Sequence, residues 1–162
     1  MGYVANNLSK NEKIIYEGKI HWFIFVPWIL LLSIVLMTYP EGNNEVDEIT
    51  MMSINFFLIA SIIGIVHSFF YKISTEFAIT NRRIISKTGF ISRKTVEFNH
   101  NKIESINVEQ GILGRIFNYG SVVINGTGGV KTPVKNIAKP LKFRIEAMDV
   151  IDVEKDSSIS DR

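Results

Sequence analysis

The sequence contains no cysteine and few of the residues on which metal sites depend. Without cysteine there is no disulfide scaffold, no thiolate zinc or iron–sulfur site and no cysteine nucleophile. The three histidines, His21, His67 and His100, are scattered and have no carboxylates at a fixed spacing, so we expect no metal and no cofactor. The net charge is only +2, whereas 46% of the residues are hydrophobic. This composition excludes disorder for most of the chain.

Sequence motifs of common enzyme classes are also missing. No serine lies in a G-x-S-x-G context, which a nucleophile elbow requires. The glycine-rich stretch 126–129 is not followed by Lys-Ser/Thr, as a phosphate-binding loop would be. Glu97, Glu104 and Glu109 are spread along predicted strands and do not form an acid–base pair. We therefore expect that the protein is not an enzyme, and we expect no nucleic-acid partner.

Two long runs without a charged residue, residues 20–39 and 49–71, dominate the first half of the chain. Neither run shows an amphipathic stripe, and a helix that is apolar on all sides is buried in a large core or in lipid. At about 1.5 Å per residue each run reaches roughly 30 Å, the thickness of the bilayer hydrocarbon. A chain of 162 residues is too short to build a core that hides two such helices. We therefore predict a transmembrane helical hairpin over residues 20–71.

The charges around the two runs predict the orientation of this hairpin. The connector 40–48, PEGNNEVDE, carries four acidic residues and no basic one, whereas lysines precede the first run and Lys72, Arg82 and Arg83 follow the second. Basic residues flank the cytoplasmic ends of membrane helices. We therefore predict a multi-pass protein of the inner (cytoplasmic) membrane. Its N-terminal segment 1–19 and its C-terminus are expected in the cytoplasm and its acidic loop outside.

From residue 73 the pattern changes to short apolar runs separated by turn residues. The runs are rich in Val, Ile and Phe and predict antiparallel strands in a small sandwich or open barrel. Ile137, Leu141, Ile145 and Met148 repeat at helical spacing, which predicts one closing amphipathic helix within 138–153. We thus predict an α+β domain over 73–153, followed by a flexible polar tail, 154–162. The predicted strands are Phe77–Ile79, Ile84–Ser86, Val96–Phe98, Ile103–Val108 and Val122–Ile124.

Three stretches together resemble the bacterial pleckstrin-homology-like (PH-like) domain family of membrane-flanked integral membrane proteins. They are EKIIYEGKIHW (12–22), FAITNRRIISKTGFISRKTVEF (77–98) and KIESINVEQGILGRIFNYGSVVINGTGG (102–129). Where that family often has Pro-Leu before Lys-Ile, this chain has Asn99-His100-Asn101. The resemblance implies a seven-stranded barrel, capped by a C-terminal helix and fused to a two-helix hairpin. A fold does not by itself specify a function.

A group of basic residues follows the second apolar run and has two interpretations. One is contact with anionic lipid headgroups, worth about 1 kcal/mol for each basic residue near the membrane surface. The other is the ordinary positive charge on the cytoplasmic side of a membrane helix, combined with a solvated turn at Asn81. The candidate lipid-binding residues are Lys72, Arg82, Arg83, Lys87, Arg93 and Lys94.

The stretch 110–120, QGILGRIFNYG, interrupts two predicted strands and also has two interpretations. Apolar residues at helical spacing favour a short helical turn that plugs the barrel, with Phe117 filling the barrel mouth. The alternative is a loop that binds a ligand or a partner. The candidate interaction residues in this loop are Gln110, Leu113, Arg115, Phe117 and Tyr119.

These patterns indicate a membrane-anchored PH-like module that acts as a protein-interaction or scaffold domain at the cytoplasmic face. Two alternatives remain open: an anionic-lipid-sensing module, and a small subunit of a membrane transport or stress-response assembly. The expected partners are the lipid bilayer, anionic headgroups, and a membrane protein or a second copy of the chain.

Overall fold

The computed structural model describes residues 2–40, 46–90 and 92–160. They divide into two compact units. One, the hairpin unit, is the helical stretch Trp22–Lys72, and the other, the β unit, combines Met1–His21 with Ile73–Arg162.

The β unit contains seven strands and three helices among the residues described. A 3-10 turn, His100–Lys102, joins its fourth and fifth strands. In chain order the elements are α1 (Tyr3–Asn6), β1 (Ile14–Gly18), β2 (Glu76–Thr80), β3 (Arg83–Thr88), β4 (Lys94–Asn99), β5 (Ile103–Glu109), α4 (Ile112–Ile116), β6 (Tyr119–Gly126), β7 (Val130–Ala138) and α5 (Pro140–Ser160). The two helices between β1 and β2, α2 (Val26–Met37) and α3 (Glu48–Ser74), form the hairpin unit.

The strands form two antiparallel sheets, one in the order β1-β2-β3-β4 and one in the order β5-β6-β7. Within each sheet, strands that are consecutive in the chain pair with each other, and β4 and β5 lie in different sheets. Strands β1 and β2 pair although the hairpin unit separates them in the chain. The predicted α+β class with antiparallel strands and a C-terminal helix is confirmed. The closed barrel that the family resemblance implies is not formed, because the two sheets remain separate.

The core lies between the sheets and α5. Phe143 of α5 is fully buried, with its ring stacked on Phe77 at 4.4 Å between centroids and the Tyr16 ring edge-on at 5.9 Å. Ile79 and Ile84 are also fully buried. A buried aromatic ring of this kind contributes several kcal/mol to stability.

The N-terminal segment is part of the β unit and not a separate segment before the membrane. Strand β1 pairs with β2, with Gly18 opposite Phe77. Val4 of α1 covers Ala78 and Ile85 on the outer face of the same sheet. The start at residue 73 that the sequence suggested therefore leaves out one strand and the cover of one sheet face.

Helix α5 presents a different face to the core from the predicted one. Leu141, Ile145 and Met148 are exposed, whereas Phe143, Ala147 and Ile151 are buried. Ile137, assigned to the same helical repeat, is buried in β7. The helix also continues to Ser160, through most of the stretch predicted as a tail.

The hairpin unit consists of a 3-10 turn, Trp22–Phe25, and two helices, α2 (Val26–Met37) and α3 (Glu48–Ser74). Helix α3 is the one helix in the described part of the chain that is long and apolar enough to cross a membrane. The helical segment formed by the first apolar run starts at Trp22, later than predicted. Ile20, at the start of that run, is buried in the β unit, where it pairs with Ile137. Residues 41–45 of the predicted outside loop lie outside the described ranges.

A row of small residues on α3 packs against the first apolar helix. Ser61 and Ser68 are buried, and Ser68 Oγ donates a long hydrogen bond of 3.4 Å to the Ile24 carbonyl. A Cβ atom at Gly64 would overlap the Trp28 ring. Small residues of this kind let two helices approach closely, and here they hold the hairpin together.

Candidate interaction surfaces

The turn between β2 and β3 binds the N-terminal segment through Arg83 and Glu12. Arg83 donates from Nη2 and Nε to the Glu12 carboxylate at 2.8 and 2.9 Å, and from Nη1 to Glu97 at 2.7 Å. The Glu12 carboxylate also accepts bonds from the Ser9 amide at 2.7 Å and the Thr80 hydroxyl at 2.8 Å. We call Glu12, Thr80 and Arg83 the clasp.

The clasp determines the charge of Glu12. Its side chain has no exposed surface, and burial by itself would raise the pKa of the carboxyl group. The bonds from Ser9, Arg83 and Thr80 more than offset burial and lower the pKa from 4.5 to about 2. Glu12 is therefore ionised at neutral pH, and the Arg83 guanidinium opposite it is occupied.

Asn81 and Arg82 complete this turn in different ways. The Asn81 Oδ1 accepts a bond from the Lys13 amide at 2.8 Å, and its Nδ2 donates to the Asn11 carbonyl at 3.3 Å. Asn81 does not adopt a left-handed backbone, whereas Asn11 does, with φ of 66°. Arg82 is exposed. The Thr-Asn-Arg-Arg motif thus secures the N-terminal segment.

Lys87 also has protein partners. Its Nζ lies 3.4 Å from the Glu76 carboxylate and 5.8 Å from the centroid of the Tyr3 ring. Glu76 in turn accepts bonds from the Tyr3 and Val4 amides at the start of α1, at 2.9 and 3.0 Å. Lys87 therefore helps to hold α1 on the sheet.

The remaining basic candidates are exposed but do not form one patch. Arg93 and Lys94 lie at the β3–β4 turn, whereas Arg82 lies at the β2–β3 turn. These turns are at opposite ends of β3, about 20 Å apart at the rise of an extended strand. Lys72 belongs to the hairpin unit, where its ammonium group lies 5.7 Å from the centroid of the Phe25 ring.

The loop 110–118 has a rigid frame. The Gln110 side-chain amide donates to the carbonyls of Gly114 and Tyr119, at 3.2 and 3.0 Å. A Cβ atom at Gly114 would lie 2.6 Å from the Tyr119 carbonyl oxygen, closer than van der Waals contact allows. Asn118 ends the helical turn with φ of 57°, a conformation that Asn tolerates better than most residues. Gln110 and Gly114 thus fix the conformation of α4.

The apolar side chains of α4 point outward and do not plug the core. Ile112 is 82% exposed, Leu113 53%, Ile116 68% and Phe117 42%. The favoured interpretation, in which Phe117 fills the barrel mouth, is therefore wrong. The core next to the sheets is filled instead by side chains of α5 such as Phe143. We call Ile112, Leu113, Ile116 and Phe117 the α4 surface.

An open groove of about 1210 Å³ runs beside the α4 surface. Its walls include Glu109, Gln110, Arg115, Ile116 and Leu141. Arg115 is exposed, and Tyr119, half-buried behind the loop, stacks on His21 at 5.4 Å between ring centroids. Four of the five predicted interaction residues thus lie in this loop, and Tyr119 follows it as the first residue of β6. Gln110 and Tyr119 are structural, whereas Leu113, Arg115 and Phe117 are presented outward.

A second surface, the α5 face, consists of Leu141, Ile145 and Met148 and was not recognised from the sequence. These positions follow each other at helical spacing and are all exposed. The opposite face, with Phe143, Ala147 and Ile151, has the same spacing. Periodicity alone therefore could not tell which face is covered; the larger ring of Phe143 was the available signal.

His100 replaces part of the family's Pro-Leu pair with a buried contact. Its side chain is almost fully buried, and Nε2 lies 2.9 Å from the Thr80 carbonyl oxygen.

Within the described residues, no group of three or more His, Asp or Glu side chains is arranged to hold a metal ion.

Comparison with known families matches the model described as Bacterial PH domain over residues 22–155. No curated protein and no solved structure is significantly similar to the chain. The matched residues cover well over half of the sequence and include both the Thr-Asn-Arg-Arg turn and the α4 loop. The chain therefore belongs to the bacterial PH domain family.

Proposed function

We propose that the protein is a membrane-anchored interaction module, with the hairpin unit in the bilayer and the PH domain at the cytoplasmic face. The observation that carries the anchoring is the surface of α3. Its most apolar stretch has a mean hydropathy of 2.2, yet only 11% of that stretch is buried. The core helix of a water-soluble protein is mostly buried, and an exposed apolar surface of this size marks a site of contact with lipid or protein.

The first helical segment supports the same arrangement. Trp22–Met37 reaches about 24 Å at 1.5 Å per residue, slightly less than the hydrocarbon thickness, and such a mismatch is accommodated by local thinning of the bilayer. Trp22 and Tyr39 near its ends are suited to the membrane–water interface. Asp47 accepts bonds from the Thr50 amide and hydroxyl, at 3.0 and 2.7 Å, and caps the start of α3.

The interaction role is supported by the α5 face. A soluble domain rarely leaves an apolar helix face uncovered unless something binds there. We propose that Leu141, Ile145 and Met148 pack against a membrane protein or a second copy of the chain, in a helix-to-groove contact.

Photo-crosslinking in intact membranes tests this role. A photoreactive residue at Ile145 should give a discrete crosslinked product, and the same residue at Thr127, exposed in the turn between β6 and β7, should not. Adding Met148→Glu should abolish the product from Ile145. Equal crosslinking from both positions would contradict a specific partner surface.

An anionic-lipid-sensing role is the second candidate, and it is supported by Arg93 and Lys94. Both are exposed, and neither has an acidic partner among the ion pairs of the described residues. Replacing both with Gln should weaken binding of short-chain anionic lipid to the full chain in neutral detergent by about 2 kcal/mol, or about thirtyfold. Arg82→Gln is the matched control, since Arg82 lies at the other end of β3. If all variants bind alike, the lipid role is refuted.

A further inference from the structure

One end of the β unit continues directly into the hairpin unit. At this end the Lys19 carbonyl accepts a bond of 2.8 Å from the Ala138 amide, and the His21 amide donates a bond of 2.7 Å to the Asn136 carbonyl. The next residue, Trp22, begins the hairpin unit. We call the end of the sheets at which β7 meets residues 19–21 the proximal end.

The α4 surface lies at the proximal end. Helix α4 joins the end of β5 to the start of β6, and β6 begins with Tyr119, opposite Ala138 at the end of β7. The Tyr119 ring is stacked on His21, the last residue before the hairpin unit. Phe117 is two residues from Tyr119, so at most about 7 Å of chain separates them.

Exposed apolar side chains are concentrated in this loop. Four of them lie within the six residues 112–117, on a frame fixed by Gln110. The turns at the opposite end of the sheets, Asn81–Arg82 and Thr127–Gly129, are built from polar residues and glycine. An apolar loop held rigidly toward water is unfavourable unless it is covered.

We propose that the α4 surface is seated in the headgroup–acyl boundary of the bilayer, as a second membrane contact beside the hairpin. This proposal rests on the anchoring proposed above. Amphipathic segments at membrane interfaces bury their apolar side by about 5–10 Å and keep basic residues at headgroup level. Arg115 in α4 and Lys139 after β7 are exposed at the same end and suit anionic phosphates. The short chain path from Phe117 through Tyr119 and His21 to Trp22 favours lipid over a partner protein.

Depth-dependent fluorescence quenching of the full chain in liposomes tests the proposal. Because the chain lacks cysteine, single cysteines can be labelled with an environment-sensitive dye at Ile116, Val130 and Ile63. All three side chains are exposed in the structure. Ile116 belongs to the α4 surface, Val130 is an exposed apolar residue at the opposite end, and Ile63 lies in the middle of α3.

The dye at Ile116 should emit at shorter wavelength and lose intensity with a shallow lipid quencher more than with a deep one. The dye at Val130 should respond to neither, and that at Ile63 should respond most to the deep quencher. If Ile63 is quenched but Ile116 behaves like Val130, the α4 contact is refuted and the anchoring stands. If Ile116 shifts to shorter wavelength without lipid quenching, a protein covers it and the proposal is refuted. If Ile63 is not quenched, the anchoring itself fails.

Discussion

Replacing Glu12 with Gln should destabilise the β unit by about 3 kcal/mol and make it less sensitive to acid. The Glu12 carboxyl group has a pKa lowered from 4.5 to about 2 in the folded protein. That shift corresponds to about 3 kcal/mol of stability at neutral pH. Because the Glu12 side chain is buried and Arg83 is only 19% exposed, solvent screening reduces this contribution only slightly. The substitution also leaves the Arg83 guanidinium with only the more exposed Glu97 as an ionic partner, and breaking a buried pair costs a comparable amount.

The sign of the pH dependence follows from the direction of the shift. A carboxyl group whose pKa is lowered on folding stabilises the protein above its ordinary pKa and loses that effect as the pH falls through the folded value. Stability of the parent chain should therefore decline between about pH 4.5 and about pH 2, the two values for Glu12. In Glu12→Gln this decline should be shallower. Part of it should remain, because burial of Glu76 is more than offset by the Val4 and Tyr3 amides and by Lys87, which lower the pKa of that carboxyl group too.

Pulse proteolysis of the full chain in detergent, across a urea series at several pH values, measures both effects. Glu97→Gln is the control, because that side chain is 38% exposed and exposed ion pairs contribute about 1 kcal/mol or less. Equal stability of Glu12→Gln and Glu97→Gln at neutral pH would refute the clasp as a stabilising element.

Two further predictions concern the packing of the β unit, measured by the same proteolysis. Phe143→Ala should lower the free energy of unfolding by about 3–5 kcal/mol, because the ring is fully buried. Ile145→Ala should lower it by less than about 0.5 kcal/mol, because that side chain is exposed. The reverse order would show that the orientation of α5 is wrong. Gly114→Ala should destabilise by about 1–3 kcal/mol through the contact with the Tyr119 carbonyl, although alanine normally favours a helix. Gly111→Ala, where the new Cβ meets nothing within 4 Å, should cost less than Gly114→Ala, because it loses only the preference for Gly over Ala just before a helix.

The elements that could be predicted are those whose hydrophobic pattern is compatible with only one kind of secondary structure. The run 49–71 lies within α3, and the Val-, Ile- and Phe-rich runs lie within β2 to β6. Strand β7 was missed because it contains Pro133, which usually argues against a strand. Here β7 is at the edge of its sheet, so the missing amide proton costs no ladder bond.

Features that depend on distant contacts could not be predicted in this way. Strand β1 looks like a linker to the membrane in the sequence, because its partner β2 follows only after the whole hairpin unit. The basic residues Arg83 and Lys87 look like neighbours of Arg82 and Arg93 in a lipid-binding group. Their partners, Glu12 and Glu76, become visible only once the N-terminal segment is folded onto the sheet.

Cysteine labelling on intact cells tests the membrane anchoring and its orientation most directly. A cysteine in place of Asn43, in the acidic connector, should react with a membrane-impermeant maleimide added outside. A cysteine in place of Asp152, exposed on α5, should react only after the membrane is permeabilised. Reaction of Asp152→Cys on intact cells with protection of Asn43→Cys would reverse the orientation, and protection of both, with the chain in the soluble fraction after lysis, would contradict the membrane anchor.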